Sequence, residues 1–241
     1  MGVATGSARS ESLRADARTV AWWVVVGAAA GAIAGGVVGG IGGRLAMLLL
    51  RLTSSADVIG MTSDDGFEIG VVTYDTAQLV LAMAMLGGIN GVLYAAFRGA
   101  IHPRLRLPLW TVLAAALGGA NIVHEDGVDF TLLEPAALAV VLFVLLPGGA
   151  AAVVVLLVEH WSDIDPWSDR RLGLALAAAA VAGTFALVFA LLVAAGAVVL
   201  RRARLDRLAG RVGRVAVPAA LLVVTVVSAW ELVSESLRIL E

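Results

Sequence analysis

The sequence predicts an all-α, polytopic transmembrane helical bundle of about six spans, and three observations carry that prediction. Sixty per cent of the 241 residues are apolar, only 15% are charged, and mean hydropathy is +0.95. A soluble domain carries roughly 25% charged residues, because its exterior must face water. Here the charges are bunched between long apolar runs, and six runs approach the roughly 20 residues a helix needs to cross a bilayer core. Trp22, Trp23, Trp110, Trp161, Trp167 and Trp230 all fall at or just beyond the ends of those runs. Indole favours the headgroup layer, since its ring is apolar and its N–H seeks water.

The chain divides into a polar segment, 1–19, one membrane domain, 20–233, and a tail, 234–241. The first span, 20–43, is too long for the apolar core of a cleavable signal, roughly 7–15 residues. Within it Gly27, Gly31, Gly35, Gly39 and Gly43 recur every fourth residue, with Gly36 and Gly40 beside them. At 1.5 Å per residue they form a groove roughly 24 Å long, suited to close approach by another helix. In the second span, 77–97, Gly87, Gly88 and Gly91 with Asn90 offer a partner face; self-association or pore lining are the alternatives.

The third span, 107–123, is short. The fourth, 135–158, opens at Glu134-Pro135, where proline suits a helix start and a carboxylate meets the positive end of the dipole. Pro147-Gly148-Gly149 interrupts it. Proline there kinks a crossing helix, freeing the carbonyl of Phe143, or marks a re-entrant turn. The fifth span, 172–200, is long enough to require tilt, and the sixth is 215–233.

Orientation depends on that choice. All seventeen basic residues are Arg. With six crossings and a cytoplasmic N-terminus, nine lie inside and eight outside, which the positive-inside rule cannot resolve. A re-entrant fourth segment makes the split twelve to five. Arg201, Arg202, Arg204, Arg207, Arg211 and Arg214 decide the difference, as a topology anchor or a holder of anionic headgroups.

Chemistry is sparse. Without Lys no retinal-type imine forms, and without Cys there are no disulfides, thiolate-held metals or Fe–S clusters. His102, His124 and His160 lie at span ends, which disfavours bis-His haem within the bilayer. A net charge of −2 disfavours nucleic acid as a partner. No ionisable residue falls near the middle of a span. The acidic loops remain: Asp64, Asp65 and Glu68, with Asp75 following, and His124, Glu125, Asp126 and Asp129. Odd-numbered loops share one side, so these carboxylates and imidazole form a candidate site for a cation or polar ligand. The spacing matches no defined metal motif, and Asp-Asp-Gly and Glu-Asp-Gly are also turn chemistry.

Gly43-Arg44-Leu45-Ala46-Met47, Ser63-Asp64-Asp65-Gly66, Val128-Asp129-Phe130, Leu133-Glu134-Pro135 and Leu157-Val158-Glu159 together resemble a group of bacterial multi-spanning membrane proteins of no known activity. The resemblance covers roughly 20–160, implies that the two acidic loops belong to one design, and lends no functional residues. The chain therefore reads as a non-enzymatic component of the bacterial plasma membrane, its N-terminus cytoplasmic. Its partners are the bilayer and, through the glycine face, a second copy or another membrane protein. A small cation or solute channel or carrier with an acidic vestibule is the alternative, and a membrane-embedded metal enzyme stands behind it.

Overall fold

The computed structural model describes residues 4–55, 74–124, 132–162 and 206–240, together with 61, 127, 130 and 173. The described residues hold helices and no strand. In chain order these are α1 (Ala4–Ala34), a π-helical stretch (Gly35–Ile41), α2 (Gly42–Thr53) and α3 (Tyr74–Phe97). A 3₁₀ turn (Arg98–Ala100), α4 (Pro103–Ile122), α5 (Ala136–Ser162) and α6 (Asp206–Leu240) follow. Five stretches are long and apolar enough to cross a membrane: Arg18–Thr53, Thr76–Ala100, Pro103–Ile122, Ala136–Ser162 and Ala216–Leu240. The expected span over 172–200 lies outside the described residues.

The first span runs further than the sequence pattern suggested. Helical bonding continues past Gly43 through the whole of α2, so Arg44 and Arg51 lie on the helix and not in a loop. The apolar run resumes immediately after Arg44, at Leu45-Ala46-Met47-Leu48-Leu49-Leu50, and that run carries the helix on. One charge does not outweigh six apolar neighbours when the cation can reach a polar lining.

α1 and α3 pack antiparallel with their backbones nearly touching. A Cβ built on Gly27 would lie 2.6 Å from the carbonyl oxygen of Gly91. One on Gly31 would collide with the Gly87 carbonyl, and one on Gly35 with the Met83 carbonyl. Only glycine permits this spacing, and the gain is van der Waals and Cα–H···O contact along the seam.

Pro147-Gly148-Gly149 does not reverse the chain. α5 runs unbroken through it. Glu134, just before α5, donates its N–H to Ser54 Oγ at 2.8 Å at the end of α2, and its carbonyl accepts from Thr53 Oγ1 at 2.6 Å. At the other terminus Glu159 meets side chains from the connection between α3 and α4. The helix therefore reaches from one end of the bundle to the other, which overturns the re-entrant reading. The small residues are packing surfaces. A Cβ on Gly118 would lie 2.5 Å from Pro147 Cβ, so α4 seats the proline ring; Gly148 faces Ala115 and Gly149 faces Val38.

α6 runs alongside α4 in the same direction. Leu221 packs with the cluster holding Trp110 and Ile101, while Leu232 and Ile239 pack with the cluster at the opposite end, among Val123 and Leu133. The first turns of α6, with Arg207, Arg211 and Arg214, therefore lie at the end where α1 begins and α5 finishes. The crossing pattern that placed this arginine-rich segment on the side away from the N-terminus is corrected by that direction.

Candidate functional site

The pairs packed along their lengths are α1 with α3 and α4 with α5, whereas α3 and α4 barely touch beyond their short connection. His102 caps α4 by accepting the Arg104 N–H at its Nδ1, 3.4 Å away, and Pro103 occupies the first helical position, where no N–H is missed.

Close to this connection the two helices are tied together. Glu159 accepts from Tyr94 Oη at 2.6 Å, from Arg98 Nε and Nη2 at 2.9 and 2.8 Å, and from Arg106 Nη1 at 2.9 Å. The Arg98 guanidinium also lies 4.3 Å over the ring of Trp23, a cation–π contact. One carboxylate thus gathers the end of α3, the start of α4 and the end of α5, and α1 joins through Trp23. One turn further in, Trp110 Nε1 donates to Asn90 Oδ1 at 2.8 Å, and the Tyr94 and Trp110 rings sit 5.4 Å apart. Trp110 is 5% exposed. It is a buried bridge between helices and not the interfacial anchor its place in the sequence suggested, because a polar partner on α3 satisfies its N–H inside the bundle.

Beside and past that bridge α3 and α4 border a cavity of about 860 Å³. This falls in the range of ligand pockets, roughly 300–1,000 Å³. Its floor is the second half of the glycine stripe, Gly35, Gly39 and Gly43. Met83, Leu86, Leu117 and Phe143 are among its walls, and Leu221 and Val224 of α6 complete it. The polar groups are segregated. Asn90 and Trp110 line it towards the α3–α4 connection, with Leu93 and Phe97 beyond them on α3, while Arg44, Asn121 and His124 line the other end. Asn121 Nδ2 donates to the Leu117 carbonyl at 2.7 Å, and His124 Nε2 lies 3.1 Å from the Asn121 carbonyl.

The π-helical stretch sits where the stripe changes role. In an α-helix residues four apart drift by about 40° around the axis. The wider i→i+5 turn slows that rotation. Gly35, Gly39 and Gly43 thus keep facing one cavity, and Arg44 arrives at its wall.

The sequence-derived site residues therefore fall into three groups. Gly27, Gly31 and Gly35 form the α1–α3 seam, while Gly39 meets only the Met83 side chain and Gly43 has nothing within 4 Å of an added Cβ. His124 is exposed and lines the cavity; Asp64, Asp65, Glu68, Glu125, Asp126 and Asp129 lie outside the described residues. The described flanks of the two acidic loops, Ser54 and Glu134, share one end of the bundle. Arg201, Arg202 and Arg204 are likewise outside the described residues, and Arg207, Arg211 and Arg214 ride on α6. Among the described residues no three His, Asp or Glu side chains converge as metal ligands.

Sequence reasoning missed Arg44, the Glu159 cluster and the Asn90–Trp110 bridge. The resumed apolar run after Arg44 was a readable signal for the first. The other two pair residues 53–65 and 20 positions apart, and no local pattern announces such a meeting.

Compared with known proteins, the chain matches no family model, no curated protein and no solved structure.

Proposed function

We propose that this chain is a non-enzymatic protein of a bacterial plasma membrane that holds an elongated, lipid-class amphiphile in the cleft between α3 and α4. The observation that carries this is the cleft itself: about 860 Å³, apolar along most of its length, with Arg44, Asn121 and His124 gathered towards one end. Such segregation complements a molecule with a long apolar body and one polar terminus.

The glycine stripe supports this reading over association through that face. Gly27, Gly31 and Gly35 are covered by α3 of the same chain, which leaves an outside partner no access to them.

The composition, with seventeen Arg and no Lys beside abundant Ala, Gly, Val and Leu, supports the bacterial assignment. Of the arginines on described helices and turns, Arg9, Arg14, Arg18, Arg98, Arg104, Arg106, Arg207, Arg211 and Arg214 lie towards the end where α1 begins. Arg44, Arg51 and Arg238 lie towards the other. By the positive-inside rule that asymmetry supports a cytoplasmic N-terminus.

Native mass spectrometry of the protein extracted from membranes tests the reading. The wild-type chain is expected to retain a lipid-sized adduct. Leu117→Trp, which puts a bulky ring into the cleft, is expected to lose the adduct while keeping its melting temperature. A wild-type spectrum free of adducts under mild extraction would overturn the proposal.

A further inference from the structure

We infer that the amphiphile carries a neutral hydrogen-bond acceptor, an oxygen set on its apolar body, and that Asn90 donates to it. This rests on the reading of the cleft as an amphiphile site and names a second element of the ligand's chemistry. The Trp110 indole N–H is a donor only, so the Asn90 atom it meets at 2.8 Å is the carbonyl oxygen Oδ1, and the amide nitrogen is the end left over. Among the described residues nothing accepts from Asn90 Nδ2. That nitrogen is not one of the fully buried polar atoms, so it keeps accessible surface on the cavity that Asn90 lines.

Asn121 supplies the contrast. It lines the same cavity, yet its Nδ2 turns back to the Leu117 carbonyl of its own helix. Asn90, its oxygen held across to α4 by Trp110, makes no such bond with Leu86 one turn earlier. Trp110 is itself fixed, buried and packed on the Tyr94 ring, so the amide is in place before any ligand arrives. The cavity walls around it are Ile89, Leu93, Leu113 and Ala114, all apolar. A buried water needs roughly two to four polar partners, and these walls offer it a single donor group. One acceptor oxygen on an apolar body needs no more than that. Trp110 precedes Asn121 by eleven residues on α4, roughly 16 Å along the helix axis. The acceptor therefore stands well along the body from a terminus placed beside Asn121 and His124. The shared chemistry is an in-chain oxygen, carried by a long acyl chain as a ketone or a hydroxyl.

The test exposes the full-length protein in nanodiscs to three probes in competition: stearate, 12-oxostearate and 12-hydroxystearate. They share one head and one chain length, so a preference among them reports the in-chain oxygen alone. Retained species are then quantified by native mass spectrometry. The wild-type protein is expected to retain an oxygenated probe over stearate by about tenfold, the worth of one net hydrogen bond. Which of the two wins identifies a ketone or a hydroxyl. Asn90→Leu, close to asparagine in size, is expected to abolish the preference while stearate still binds. Trp110→Phe leaves α3 unchanged but frees the amide to turn to its own helix, and is expected to weaken the preference. Equal retention of all three probes by the wild-type chain overturns the acceptor assignment and leaves the amphiphile site standing. A preference unchanged in Asn90→Leu overturns the role of Asn90. Absence of all three probes from a chain that keeps the adduct it carried from the membrane overturns the acceptor assignment alone. Absence of probes and adduct alike overturns both readings.

Discussion

A single methyl group separates the two halves of the glycine stripe. At Gly31 it would collide with the Gly87 carbonyl, backbone against which nothing can rotate away; at Gly43 it would meet nothing within 4 Å. Gly31→Ala is expected to lower stability by on the order of 3 kcal/mol through overpacking, and Gly43→Ala to leave it nearly unchanged. Thermal unfolding of both variants in one detergent checks this, and equal melting points would refute the packing role. Glu159 gives a second contrast. Its carboxylate is one-third exposed, but Arg98 and Arg106 are 17% and 18% exposed, so removing the anion strands two poorly hydrated cations. Glu159→Gln is expected to cost about 1–3 kcal/mol. Because the residues share one network, the losses from Glu159→Gln and Arg98→Gln should fall short of additive in the double variant.

The first span owes its behaviour to its middle. α1 before it is seam, α2 after it carries Arg44, and the π-helical Gly35–Ile41 sets their relative rotation. Deleting one residue turns everything downstream by about 100°. Val37 is 55% exposed and contributes little to the core, so its deletion isolates that rotation. The deletion is expected to keep the Gly27–Gly91 and Gly31–Gly87 register while turning Arg44 from the cleft. The readout is loss of the lipid-sized adduct with the protein still folded; an intact adduct would separate the π turn from the site. α5 illustrates a different balance. Proline removes one helical hydrogen bond, yet its ring is received by Gly118 and its glycine neighbours admit α4 and the π-helical stretch on either side. Packing offsets the lost bond, and the helix continues.

For the whole bundle the firmest consequence is a topology. The starts of α1, α4 and α6 share one end with the termini of α3 and α5, so the chain's final residues lie at the end opposite its first helix. The protein has no cysteine, so introduced ones report cleanly. Gly99→Cys, where an added Cβ meets nothing, is expected to label from the cytoplasmic side. Ser55→Cys and Arg238→Cys are expected to label from the other side. Labelling of positions 99 and 238 from the same side would refute the arrangement.

Membrane residence was legible in the chain because a lipid solvent acts on average composition and on run length, both local quantities. The glycine stripe was legible for a related reason: a repeat of four nearly matches the helical turn, so one face follows from spacing alone. The role of Pro147, the extent of the first span past Gly43 and the place of Trp110 were not legible. Each depends on what a second helix supplies at that point: a glycine to receive a ring, a cavity wall for a cation, an amide for an indole N–H. The cleft is the extreme case. It exists because, apart from the contacts of Trp110 with Asn90 and Tyr94, α3 and α4 pack on other partners, and no residue's own pattern encodes a gap between two helices.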